Sequence, residues 1–133
     1  MFNAAARMVF RLRRHDYVTD ALATLHWLRI PECIYFKVSV LAYRVLHGLA
    51  PSYLEDLVRV ADLPGRRRLR SSPIHVPAHR LSTSGRRSFS VAAPTTWNSY
   101  PLTFSHHLNS LPLLRQRLKT YLFKKSFPDV ILF

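Results

Sequence analysis

Apolar residues recur at helical spacing over most of the chain and lose that spacing between residues 64 and 90. Residues 3–13 set Ala5, Met8, Val9 and Leu12 on one face and Arg7, Arg11 and Arg14 on another, which predicts a first helix. A short second helix is expected from Thr19 or Asp20, as N-cap, to about His26. A third begins near Pro31, a proline tolerated in a first turn, and ends at Gly48. Its residues Ile34, Val38, Leu41, Ala42, Val45 and Leu46 form one broad face, while Phe36, Val40 and Tyr43 fall among the polar positions opposite. A helix apolar on both sides is central to a bundle or covered by a partner.

The run His47-Gly48-Leu49-Ala50-Pro51-Ser52-Tyr53-Leu54-Glu55-Asp56-Leu57 reads as a helix stop, a kink and a restart. Gly48 stands where a C′ glycine ends a helix. Pro51 fits the first turn of a fourth helix reaching about Val60, with Tyr53, Leu54 and Leu57 as its stripe. Beyond it, Pro64, Gly65, Pro73, Pro77 and Gly85 exclude a long helix. Short extended pieces at 68–71, 74–76 and 88–91 are expected to pair as a small hairpin or to stay partly disordered. A last helix is expected over 111–125 with Ser110 as N-cap. Leu111, Leu114, Leu118, Tyr121 and Leu122 form its stripe, and Arg117, Lys119 and Lys124 lie outside it. The fold class is therefore mainly α, a small helical bundle with a basic Pro/Ser/Arg-rich insert capable of forming a β-hairpin. The divisions expected are a helical segment 1–60, a basic linker or hairpin 61–90, a C-terminal helical segment 91–127 and a tail 128–133.

Charge sharpens this picture. The 133 residues, one domain or one domain with tails, carry 20 Lys plus Arg against 7 Asp plus Glu, a formal +13. Such an excess favours an anionic partner, and RNA or DNA backbone is the commonest one. Sixteen of the cations are arginines, whose planar forks suit phosphate. The net charge is +3 over 1–60, +6 over 61–90 and +4 over 91–133. The candidate phosphate-binding residues are Arg66, Arg67, Arg68, Arg70, Arg80, Arg86 and Arg87, with Ser71, Ser72, Ser82, Thr83, Ser84 and Ser88 as hydroxyl donors that position a backbone without reading sequence. The Arg66-Arg67-Arg68 run also matches a nuclear or nucleolar localisation signal.

Other chemistry is sparse. Cys33 is the single cysteine, which excludes an internal disulfide and a Cys-rich zinc site and favours a reducing compartment. The longest apolar stretch, 38–43, is far short of the ~20 residues that span a bilayer, so neither a membrane partner nor a secretory signal is expected. His75 and His79 are four apart, but Pro77 denies them a common helical face, and His106-His107 has no nearby carboxylate or cysteine. No metal or cofactor is expected. Trp27, Trp97, Tyr43, Tyr53 and Phe89 fall in stripes or apolar blocks and read as core, whereas Tyr100, beside Pro101, is the aromatic least committed to one. There is no Asp-Asp pair, and on a helix the side chains of Glu55 and Asp56 diverge by about 100°. No G-x-S-x-G elbow, Walker A loop or H-E-x-x-H occurs, so no catalytic residue is assigned.

Six further blocks accompany the turn at 47–57. Upstream stand Leu25-His26-Trp27-Leu28, Phe36-Lys37 and Ala42-Tyr43-Arg44-Val45-Leu46. Downstream stand Phe89-Ser90-Val91-Ala92-Ala93-Pro94, Trp97-Asn98-Ser99-Tyr100-Pro101 and Leu118-Lys119-Thr120-Tyr121-Leu122-Phe123. In this order, over about 3–127, the chain resembles the C-terminal region of reverse transcriptases encoded by jockey-like non-LTR retrotransposons (LINEs). The resemblance implies a non-catalytic segment that follows the polymerase and helps to hold template RNA or target DNA. The polymerase and endonuclease residues of that family lie upstream of the matching portion, and none is carried over. Arg29, Ile30, Pro31, Glu32 and Cys33 depart from the family pattern, as does Tyr100 where leucine is usual, which implies a decayed or exapted copy. The same resemblance makes Met1 a start within a longer ancestral frame and favours nuclear or cytoplasmic residence. The alternative for the arginine-rich first helix is a mitochondrial transit peptide. The alternative function is an interaction module or remnant whose two-sided third helix seeks the missing polymerase or a second copy of itself.

Overall fold

The computed structural model describes residues 1–54, 57, 59–65, 73–101, 104 and 110–130. The protein is mainly α. The described helices are α1 (Phe2–Val9), α2 (Thr19–Thr24), α3 (Ile30–Leu46), α4 (Ser84–Arg87), α5 (Phe89–Asn98) and α6 (Leu111–Ser126), with 3-10 turns at Ser52–Leu54 and Val60–Asp62. Among the described residues there is no strand, only an isolated antiparallel bridge between Arg59 and Ile74.

Three helices close by the same device. At the end of α3 the Leu49 N–H donates to the Arg44 carbonyl (2.8 Å) and the Gly48 N–H to the Val45 carbonyl (3.1 Å), with Gly48 at φ +65°. This is the Schellman closure expected at Gly48. Trp27 and His26 repeat it on Leu22 and Ala23 at the end of α2, and Leu12 and Arg11 repeat it on Arg7 and Met8 at the end of α1. In those two copies the left-handed position is held by His26 (φ +53°) and Arg11 (φ +50°) instead of glycine.

Two compact units contain these elements: Met1–Phe36 with Gln116–Phe133, and Lys37–Arg115. Their boundaries fall within α3 and α6. In the first unit α1 packs on α2, and Phe2 meets the Trp27 ring edge-on at 5.8 Å. Leu118 and Leu122 of the α6 stripe are buried, and so are Phe123 and Phe127, which the stripe did not include. His26 stacks on Phe123 at 5.5 Å, and the Arg29 guanidinium lies 5.0 Å from the Phe127 ring centre. In the second unit Tyr43 and Leu114 form a buried centre on which Trp97, Phe104, Leu111 and Leu113 pack.

Several expectations are corrected. The second helix has Val18, not Thr19 or Asp20, at its N-cap. The described part of 51–60 is not one α-helix, since a 3-10 turn from Pro51 precedes extended backbone at Arg59. Tyr53 is correspondingly 78% exposed instead of lying in a core stripe. Of the piece at 88–91 only Ser88 is extended: it holds the N-cap position of α5, and the Ala92 N–H reaches its carbonyl at 2.9 Å. Of the other two pieces, 68–71 lies outside the described residues, and Ile74 makes the bridge to Arg59. On α3 the most buried positions are Ser39, Ala42 and Tyr43, whereas Ile34, assigned to the apolar face, is 57% exposed. On α1 it is Ala6 that is buried, while Met8 and Val9 face solvent.

Candidate nucleic-acid interface

Pro77 keeps the chain before α4 irregular, and Leu81 then opens the turn that becomes the helix, its carbonyl accepting from the Gly85 N–H at 3.0 Å. Gly85 stands at a close approach there. The Cβ of His79 lies only 3.0 Å from where a β-carbon on residue 85 would stand. His79 therefore packs directly on the backbone of α4, and the loop 79–85 is drawn shut. Closure sets Arg80 in the same short loop that leads into Arg86 and Arg87, and all three side chains are exposed. The Ser88 hydroxyl donates back to the Gly85 carbonyl at 2.7 Å and lies 3.3 Å from the Ser90 hydroxyl, which fixes the exit from α4 into α5.

Thus three of the seven candidate arginines are exposed on this closed loop or on the helix it leads into. Arg66, Arg67, Arg68 and Arg70, with Ser71 and Ser72, lie outside the described residues. Ser82, Thr83 and Ser84 are exposed beside the clustered arginines. The unit Lys37–Arg115 carries eleven Lys/Arg and three Asp/Glu, net +8, and the other unit carries nine and four, net +5. Composition by sequence segment did not single out Lys37, Arg59 and Arg115, which are exposed cations of this same unit. Their signal in the sequence is weak because Lys37 and Arg59 each stand alone between apolar residues and Arg115 lies far from the other two; only folding gathers them into one unit.

A second arrangement supports the site from beneath. Asn98, at the end of α5, grips the backbone of Ile74 at two points: the Ile74 N–H donates to Oδ1 (3.0 Å), and Nδ2 donates to the Ile74 carbonyl (2.8 Å). The bridge to Arg59 leaves the Ile74 amide and carbonyl pointing the other way, so the Asn98 carboxamide substitutes for the next strand. Ile74 is buried. The otherwise irregular segment carrying the arginines is thereby pinned at its start to α5, the helix that α4 packs against.

Aromatic side chains contribute packing. Tyr43 is buried, with His47 stacked on it at 3.9 Å and Trp97 at 6.5 Å. Tyr100, expected to be the least committed, is instead tied in: its hydroxyl is 2.9 Å from that of buried Ser39, and its ring lies 5.7 Å from Phe104. His75 and His79 are both exposed, and no group of three metal-ligating residues occurs among the described residues. His106 and His107 lie outside them. Comparison with protein-family models, with curated proteins and with solved structures gave no match for this chain.

Proposed function

We propose that this protein binds the phosphate backbone of RNA or DNA without reading bases. In this reading it acts as a non-catalytic domain of the kind that follows the polymerase in non-LTR retrotransposon reverse transcriptases. The observation that carries the reading is the closed loop in which the His79–Gly85 contact sets exposed Arg80 beside Arg86 and Arg87. Clustered guanidinium groups release counterions from an evenly charged polymer, and the flanking hydroxyls position it. Aromatic rings of the same unit that are engaged in packing or hydrogen bonding are not free to stack on bases, which favours backbone contact over base recognition.

Titration of the full chain against RNA and duplex DNA at two salt concentrations tests this. Binding at low salt should weaken steeply as salt rises. Replacing Arg80, Arg86 and Arg87 with alanine should flatten the dependence on duplex DNA by about 0.9 in log–log slope for each lost contact. A companion variant replacing Arg66, Arg67, Arg68 and Arg70 measures the share of the second cluster. Absence of binding at low salt, or indifference to both sets, rejects the proposal.

A second reading is favoured by α3, where Ile30 and Ile34 are exposed on consecutive turns of a helix. Under it the chain is an interaction module whose partner is a polymerase domain or a second copy. Concentration-dependent oligomerisation without nucleic acid, abolished by Ile34→Asp, distinguishes it.

A further inference from the structure

We infer that residues 1–14 form an element that docks on the surface of an anionic lipid bilayer. The inference stands apart from nucleic-acid binding. A short surface helix normally turns its apolar residues inward, yet α1 buries only Ala6 and leaves Met8 80% and Val9 61% exposed, with the C-cap residue Phe10 41% exposed just beyond it. These three are consecutive, so they cover the C-terminal tip of the helix more broadly than a narrow stripe would.

The chain then folds back on that tip. Arg11 takes a left-handed conformation, the Leu12 N–H bonds the Arg7 carbonyl at 2.9 Å, and the Arg7 guanidinium donates to the Arg13 carbonyl. Asp16, the first acid of the sequence, accepts from the Arg13 N–H at 2.6 Å and holds the next turn. Arg11, Arg13 and Arg14 are exposed and follow Met8, Val9 and Phe10 directly in the turns just beyond α1. Exposed apolar side chains beside a group of arginines match the boundary of an acidic bilayer, where apolar groups enter the acyl region and cations meet headgroup phosphates. Nucleic acid would satisfy the arginines but leave Met8, Val9 and Phe10 in water, so charge complementarity together with the apolar tip selects the lipid surface. No helix among the described residues is long and apolar enough to cross a bilayer. Lying at its surface demands only the exposed tip and its charge, so the expectation of no membrane partner, which rested on spanning length, does not bear on it.

Co-sedimentation of the full, nuclease-treated chain with vesicles of phosphatidylcholine alone, and with about one-third phosphatidylserine, tests the proposal. Binding to the acidic vesicles only is expected. Met8→Asp/Val9→Asp should weaken it at least about tenfold, because both apolar anchors are lost to an acidic surface. Both positions are exposed, so circular dichroism should show the fold retained, and RNA binding should be unchanged. Arg11→Gln/Arg13→Gln/Arg14→Gln should weaken vesicle binding comparably. The proposal is overturned if acidic vesicles do not sediment the protein, or if the Met8/Val9 variant binds them as well as the parent. Equal loss of vesicle and RNA binding in that variant also overturns it, since the tip would then serve no lipid-specific purpose.

Discussion

The hydroxyl oxygens of Ser39 and Tyr100 lie 2.9 Å apart, across 61 positions of sequence. Ser39 is fully buried within α3, and Tyr100 stands just beyond α5. A buried hydroxyl carries a desolvation cost that a partner offsets. Tyr100 therefore has a structural use in this chain. Ser39→Ala and Tyr100→Phe should be non-additive, with a coupling of about 0.5–1.5 kcal/mol in a double-mutant cycle by urea denaturation. Full additivity would show that the two hydroxyls do not interact in solution.

Asn98→Ala removes both bonds to the Ile74 backbone. A loss of about 1–2 kcal/mol is expected, because Ile74 is buried and its amide and carbonyl lose their described partner. Asn98→Asp keeps the acceptor for the amide but turns a second oxygen toward the carbonyl, and should recover only part of the loss. Amide hydrogen exchange at Ile74 reads the effect directly.

The three left-handed helix ends should respond differently to one rule. Gly48→Ala meets open space but carries the strain of φ +65°, so about 1 kcal/mol is lost. Arg11→Gly relieves the corresponding strain at an exposed site and should stabilise by about 0.5–1 kcal/mol. His26→Gly should be near neutral, because the relief is offset by the lost stack on Phe123, worth about 0.5–1.5 kcal/mol. Thermal melts of the three variants give the order.

Gly85→Ala tests whether the arginine loop is closed as described. In an ordinary helix the change stabilises by about 1 kcal/mol. Here the new methyl meets His79 at 3.0 Å, so the gain should vanish or reverse, and the salt dependence of RNA binding should shift with it. A stabilisation equal to the usual helical value would mean that His79 does not pack on Gly85.

Leu118→Ala should cost about 2–5 kcal/mol, since Leu118 is wholly buried in the middle of α6. Thr120→Ala, two residues away and exposed, should change stability by less than about 0.5 kcal/mol. Chemical denaturation of the pair separates core from surface on one helix.

Much of the helical framework was legible in advance. The α6 stripe of Leu114, Leu118 and Leu122 is buried as its spacing predicts, and α3 ends at Gly48 as the C′ rule requires. These features are local: period and cap act within a few residues, so the sequence displays them directly. The second helix start was misplaced by one or two residues because Val18, Thr19 and Asp20 all lie in the opening turn, and backbone conformation selects the cap. The span 88–91, expected to be extended, instead leads into α5, which runs on through a buried Pro94. Burial in the tertiary core overrides the local cost of a missing N–H.

For the candidate site the division is similar. Composition marks residues 61–90 as the most basic stretch, and the identities of Arg80, Arg86 and Arg87 follow from the sequence alone. Their grouping depends on His79 meeting Gly85 and on Asn98 meeting Ile74, contacts that no periodicity encodes. By itself the sequence determined the mainly helical class, the end of α3, the stripe of α6 and a formal charge of +13, because propensity, periodicity and charge are summed along the chain. Only the tertiary structure decided which face of α3 is buried, that the Tyr100 hydroxyl meets Ser39, and that the tip of α1 stays bare. Burial is a competition among all apolar surfaces for one interior, and its outcome depends on partners distant in sequence.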